Sequence, residues 1–198
     1  MLENTASPRL ILASTSKYRQ KLLQRLGLAF GTYAPDLDET PLAQESPIDT
    51  ASRLAQLKAT AARSRHPLSL IIGSDQVAEC AGMRLEKPGT RQQALLQLRA
   101  ASGKTAIFQT AVALLNRATG NQQAAVVPTR VSFRRLSEKE IVRYVDREPA
   151  FDCAGSAKAE GLGIALMETI ECNDPTALIG LPLIALCSML RNEGLFIP

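Results

Sequence analysis

The stretch LILASTSKYRQKLLQRLG, residues 10–27, runs four apolar residues straight into three small hydroxyl residues and then into a basic segment. A short buried strand from Arg9 to Ala13 and a helix from Lys17 to Leu26 follow from that order. Leu22, Leu23 and Leu26 recur at helical spacing, and Gly27 closes the run. At such a junction the first backbone N–H groups of the helix lack partners and carry partial positive charge, which makes a ready seat for phosphate. Ser14, Thr15 and Ser16 add hydroxyls there, and Arg19 adds a forked full charge. The bland alternative makes Ser16 an N-cap and Arg19 a surface residue.

Outward from this junction, a second strand is expected near Phe30 to Ala34, followed by the polar loop DLDETPLAQESP. Ala, Leu, Arg and Lys predict a helix from Asp49 to about Arg65, ended by the His66-Pro67 step. LSLIIGSDQVA reads as a buried strand ending in a polar Gly-Ser-Asp, and Arg91 to Ala101 as a helix. Lys104 to Leu115 and Ala124 to Phe133 are β-rich runs flanking NRATGNQQ, a predicted hairpin. Ser137 with Glu140 three residues on has the capping-box pattern of a helix start. CAGSAKAEGLG is expected to be irregular, followed by a strand around Ile164 to Glu168 and a helix from near Pro182. Strands and helices alternate in the first half and a hairpin interrupts the second. The expectation is an α/β fold with a mixed twisted sheet and flanking helices, one domain over residues 1–198 with residues 1–8 a short extension.

The composition excludes several functions. No apolar run approaches the roughly 20 residues of a membrane helix, so a cytoplasmic chain is expected. Cys80, Cys153, Cys172 and Cys187 form no C-x-x-C pair, which favours buried reduced thiols over a zinc site or disulfide framework. Net charge is +4, but aromatic residues make up only 4% and Trp is absent, which argues against a nucleic-acid-binding surface. The one histidine, His66, precedes a proline, so a Ser-His-Asp triad or H-E-x-x-H site is implausible and a general base must be sought among carboxylates.

Asp75 is the leading candidate, because it follows LIIG at the expected C-terminal end of a buried strand, where open α/β sheets place their ligand crevice; the bland alternative is a turn or N-cap aspartate. Glu39 lies in the polar loop, Lys58 on a predicted helix and Lys87 before Pro88. Arg19, Lys58 and Lys87 beside carboxylates are what a polyphosphate with its metal requires. A charge pair at roughly 4 Å is worth about 1 kcal/mol in water and about 4 kcal/mol at an effective dielectric near 20, so these residues bind strongly only in a partly closed cleft. The junction at Ser14 to Arg19 is not a P-loop, since the glycines and the Gly-Lys-Ser/Thr ending are absent.

LILASTSKYR, DLDETP, RLAQLKA, IIGSDQV, EKPGT and CAGSAKAEGLGI followed by GLPLIAL, in this order, resemble the Maf family of nucleoside triphosphate pyrophosphatases. The resemblance implies an inosine-triphosphatase-like fold with two lobes around a cleft, often dimeric. It also implies hydrolysis of a nucleoside triphosphate to the monophosphate and pyrophosphate with a divalent cation such as Mg²⁺ or Mn²⁺. Carried over by position, Asp75 would be the catalytic base, and Ser14, Ser16, Arg19, Lys58 and Lys87 would bind phosphate. Glu39 and Asp75 would lie at the metal. GSDQV and GSAKAEG look like the branch that acts on 7-methyl-GTP, in which Tyr18, Gln76 and Glu160 match the positions tied to substrate choice. Tyr18 departs from that branch, where an indole is familiar. N7-methylated guanine is cationic, so Tyr18 could attract it through its π face and Glu160 could accept from its N1–H and amino group.

Overall fold

The computed structural model describes residues 9–197, so the expected extension over residues 1–8 lies outside the described residues. Among the described residues, seven strands form one sheet: β1 (Arg9–Ala13), β2 (Phe30–Tyr33), β3 (Ser69–Cys80), β4 (Met83–Leu85), β5 (Thr105–Asn116), β6 (Gln122–Phe133) and β7 (Met167–Cys172). The helices are α1 (Lys17–Gln24), α2 (Pro47–Ala61), α3 (Arg91–Ala101), α4 (Glu138–Arg147) and α5 (Leu183–Asn192). Strand order is β2-β1-β3-β5-β6-β7, with β4 paired to β3. β1 runs parallel to both β2 and β3, and the remaining pairings are antiparallel, so the sheet is mixed as expected.

Alternation along β3 sends successive side chains to opposite faces. Ile71, Gly73, Asp75 and Val77 meet the α2 side, where Ala51, Ala55 and Ala59 are fully buried. A Cβ at Gly73 would lie 2.0 Å from the Ala55 carbonyl oxygen and 2.7 Å from the Ala59 nitrogen. Only glycine therefore allows α2 to lie this close to the sheet, and that closeness lowers Lys58 onto Asp75. The other face carries two cores. Leu10, Leu12, Leu70 and Ile72 pack with Leu22 and Leu23 of α1 and Leu186 and Leu190 of α5. Ala78, Phe108 and Val131 pack with Leu98 of α3 and Ile141 of α4.

Between the two cores runs a polar row. Ser74 donates to the Gly180 carbonyl at 2.8 Å and Thr110 to the Ala177 carbonyl at 3.0 Å, tying the segment before α5 to the sheet. Asp174 anchors that segment by accepting from the Ile184 N–H at the start of α5, at 2.7 Å.

Four expectations need correction. Asp75 does not stand at the end of its strand, because β3 continues to Cys80. Its neighbours change instead: β1 pairs with β3 only through Ile72, and β4 begins to pair only at Ala78. One edge of β3 is thus open from Gly73 to Val77, and the crevice forms at that gap. The second helix ends at Ala61 rather than near Arg65, since Ala62 is its last buried neighbour and Arg63, Ser64 and Arg65 are exposed with nothing to pack on. The strand expected at Ile164 to Glu168 starts only at Met167, after a 3-10 segment over Leu162–Leu166. Capping at α4 is as read, with Ser137 and Glu140 bonded reciprocally. The four cysteines are unpaired, but only Cys80 is buried, and the other three are half-buried.

Candidate active site

A cleft of about 640 Å³ opens at the gap beside β3, and every residue singled out from the sequence lines it: Ser14, Ser16, Tyr18, Arg19, Glu39, Lys58, Asp75, Gln76, Lys87 and Glu160. Its floor is an ionic cluster. The Lys58 ammonium lies 2.6 Å from Asp75 Oδ1 and 2.9 Å from Glu39 Oε1. Lys58 and Asp75 are both buried, while the Glu39 side chain is 55% exposed and faces incoming solvent. Thr129 Oγ1 is the one buried side-chain polar atom without a partner among the described residues. Asp75 Oδ2 makes no hydrogen bond among them and is not fully buried, so it is the oxygen that opens on the cleft.

Above the cluster, the turn between β1 and α1 is shaped by its own hydroxyls. Ser14 Oγ accepts from the Ser16 N–H at 3.1 Å and from Arg19 Nη1 at 3.4 Å. Ser16 caps α1 by accepting from the Arg19 N–H at 3.4 Å, so the bland reading of this serine holds alongside its place in the cleft. Arg19 Nε donates to the Gly180 carbonyl at 2.8 Å, which aims the guanidinium inward. Burial pulls the Arg19 pKa down, and the nearby Asp75 and Glu39 carboxylates oppose that pull. Lys87 lies exposed on the rim of the cleft.

The opposite wall comes from the irregular chain after α4. Tyr18 reaches across to it, its hydroxyl donating to Asp152 Oδ1 at 3.1 Å. Burial, together with Cys153 and Asp152, pushes the Tyr18 pKa well up, so the phenol remains a donor. Burial likewise pushes the Cys153 thiol up to about 11, which keeps it protonated. Lys158, paired with Glu148 at 3.1 Å, sits 5.9 Å from the centre of the Tyr18 ring. Glu160 stands exposed at the same end of the cleft. Gln76 is partly committed elsewhere: its Nε2 donates to Thr110 Oγ1 and to the Ala177 and Leu178 carbonyls at 2.9 to 3.1 Å. Only its Oε1 is left for a ligand.

The arrangement suits a polyphosphate and a hard divalent cation. Asp75 and Glu39 offer carboxylate oxygens that converge on one point of positive charge. Among the described residues no group of three or more His, Cys, Asp or Glu side chains could hold a metal alone. Two carboxylates completed by substrate phosphates is a usual coordination for Mg²⁺.

The family model for Maf-like proteins matches residues 9–193 of this chain. The chain belongs to the Maf family. A Maf relative from Aromatoleum aromaticum, named 7-methyl-GTP pyrophosphatase, is 58% identical over 96% of this chain and 98% of its own. A protein of the same name from Cupriavidus pinatubonensis is 54% identical over 98% of this chain and 97% of its own. Among solved structures, a nucleoside-triphosphatase/dITP/XTP pyrophosphatase from Mycobacterium abscessus aligns over 94% of this chain and 96% of that one, with 16% identity and a TM-score of 0.42.

Within this Maf cleft, sequence reasoning passed over Arg84, Asp152 and Cys153. Arg84 sits on β4, a three-residue strand without a readable pattern, and donates to Thr50 Oγ1 at 3.2 Å. Asp152 and Cys153 belong to an irregular segment whose partners lie far away in the chain. The one available signal was the acidic Asp152 directly before the quoted glycine-containing run.

Proposed function

We propose that this chain is a nucleoside triphosphate pyrophosphatase that hydrolyses 7-methyl-GTP to 7-methyl-GMP and pyrophosphate. The observation that carries the reading is Asp75, buried at the open edge of β3, with one oxygen held by Lys58 and the other free toward a cleft rimmed by Arg19 and Lys87. The names of the close relatives support the choice of base.

In this mechanism Asp75 Oδ2 orients a water molecule and accepts its proton as the water oxygen bonds to the α-phosphorus. The bond from that phosphorus to the α–β bridging oxygen breaks, and pyrophosphate leaves with the electron pair. Lys58 holds Asp75 Oδ1 and fixes the orientation of the carboxylate, while Arg19 and Lys87 balance charge on the triphosphate. Ser14 and Ser16 shape the turn that presents backbone N–H groups to phosphate. Glu39 and Asp75 would hold Mg²⁺ or Mn²⁺ together with phosphate oxygens, and the bound ion supplies charge neutralisation at the reacting phosphate.

Tyr18 and Glu160 read the base. A cationic purine gains from the phenol ring about 0.5 to 2 kcal/mol, and the Glu160 carboxylate accepts from its N1–H and amino group. The reading carries with it a cytoplasmic homodimer that takes a small nucleotide rather than nucleic acid or a membrane. Purified protein with Mg²⁺ or Mn²⁺ should release pyrophosphate from 7-methyl-GTP in preference to GTP, UTP and dTTP. Orthophosphate as the product, or preference for UTP or dTTP, would contradict it.

A further inference from the structure

Residues 34–46 join β2 to α2 without helix or strand, yet they must deliver Glu39 to Lys58. Ordering such a segment costs conformational entropy at every residue, so something must hold it. Among the described residues the concentrated anchor is the Glu45 carboxylate. Its Oε1 accepts from Arg53 Nε at 2.6 Å. Its Oε2 accepts from Arg53 Nη2 at 2.8 Å, Thr50 Oγ1 at 2.9 Å and the Leu42 N–H at 3.0 Å. Four donors, three of them on Oε2, fix the carboxylate in place. The Glu45 side chain is only 8% exposed, which shields this fork from the screening that weakens surface pairs.

The same guanidinium also touches the loop next to Glu39. Arg53 Nη2 donates to the carbonyl of Thr40, the following residue, at 3.2 Å. Arg53 therefore grips the loop on both sides of its bend, at Thr40 and at Glu45, from the rigid surface of α2. Lys58 lies on the same helix, five residues on. One helix thus carries both the clamp for the loop and the ammonium that receives its acidic residue. Neither Arg53 nor Glu45 lines the cleft, so the hydrolysis itself uses neither.

We propose that Arg53, forked onto Glu45 and the Thr40 carbonyl, is a positioning residue that sets Glu39 at the phosphate end of the cleft. Its consequence for metal use rests on the role given to Glu39 above. An ammonium cannot reproduce the fork, so Arg53→Lys should fail to replace the guanidinium although it keeps the charge.

The test compares wild type, Arg53→Ala, Arg53→Lys and Glu39→Gln as full chains, by hydrogen exchange and by Mg²⁺ titration of 7-methyl-GTP hydrolysis. In both Arg53 variants, amides within residues 36–46 should exchange about tenfold faster while α2 and β3 keep their rates. The Mg²⁺ concentration for half-maximal rate should rise roughly tenfold, with kcat at saturating metal close to wild type. Adding Arg53→Ala to Glu39→Gln should raise it no further. Unchanged loop exchange in Arg53→Ala overturns the proposal, as does full rescue by Arg53→Lys. Faster exchange spread equally over α2 and β3 overturns it too, since that is general destabilisation. If Glu39→Gln alone leaves the Mg²⁺ requirement unchanged, the role given to Glu39 fails, and loop exchange in the Arg53 variants still decides the positioning.

Discussion

On one wall of the cleft, Asp75, Lys58 and Arg19 sit on β3, α2 and α1, each buried or hydrogen-bonded by the fold itself. On the other, Asp152, Cys153 and Glu160 sit in irregular chain between α4 and β7, where Gly155 and Ser156 both adopt positive φ. The difference matches the two kinds of work proposed for them. Groups that handle a reacting phosphate need placement within fractions of an ångström, which regular elements supply. Of the two groups proposed to read the base, Tyr18 shares α1 with Arg19, while Glu160 stands on a loop whose shape can change without disturbing the sheet.

The sharpest way to break this comparison is to neutralise the rigid wall. Asp75→Asn should lower turnover of every nucleotide by about a thousandfold while binding survives, read by steady-state kinetics beside calorimetry. A loss confined to 7-methyl-GTP would mean that Asp75 acts in base choice rather than in the reaction. A smaller effect is expected on the irregular wall. Glu160→Gln should cut kcat/KM for 7-methyl-GTP roughly tenfold and leave that for UTP nearly unchanged, because only one hydrogen-bonding charge is lost. Equal losses for both substrates would remove Glu160 from base selection.

The smallest effect concerns pH. The Arg53 fork, with help from Leu42 and Thr50, holds the Glu45 carboxyl down to about 2 from an ordinary value of 4.5. A depressed carboxyl stabilises the folded state above its unfolded pKa and loses that contribution as pH falls through its folded pKa. Melting temperature should therefore show no dependence on this pair above about pH 4.5 and a growing one below it, toward pH 2. Glu45→Gln should flatten that acid limb, and an unaltered limb would deny Glu45 its ion pair.

Much of the rigid wall was legible from the amino acids. The apolar run into Ser-Thr-Ser, the hairpin of β5 and β6, and the capping box of α4 each depend on residues adjacent in the chain, where periodicity and capping act. What stayed hidden depends on distant partners. Asp75 was found because a carboxylate after LIIG stands out, but the reason it faces a crevice is the unpaired edge between β1 and β4. That gap is a property of three strands together. Lys58 was expected on a helix as a phosphate ligand, yet it is buried against two carboxylates because Gly73 admits α2 so closely. β7 gave no alternation to read, since four of its six residues are exposed in succession. The Arg53 fork was invisible for the same reason as Asp152: a single charged residue declares nothing until its partner is in view.

The most direct measurement is hydrolysis of 7-methyl-GTP in water carrying a heavy-oxygen label, with mass analysis of both products. Attack on the α-phosphorus by a water that Asp75 directs predicts one labelled oxygen in 7-methyl-GMP and none in pyrophosphate. Label in the pyrophosphate, or release of labelled orthophosphate, would place the attack at another phosphorus and contradict the assignment of Asp75 and its cleft.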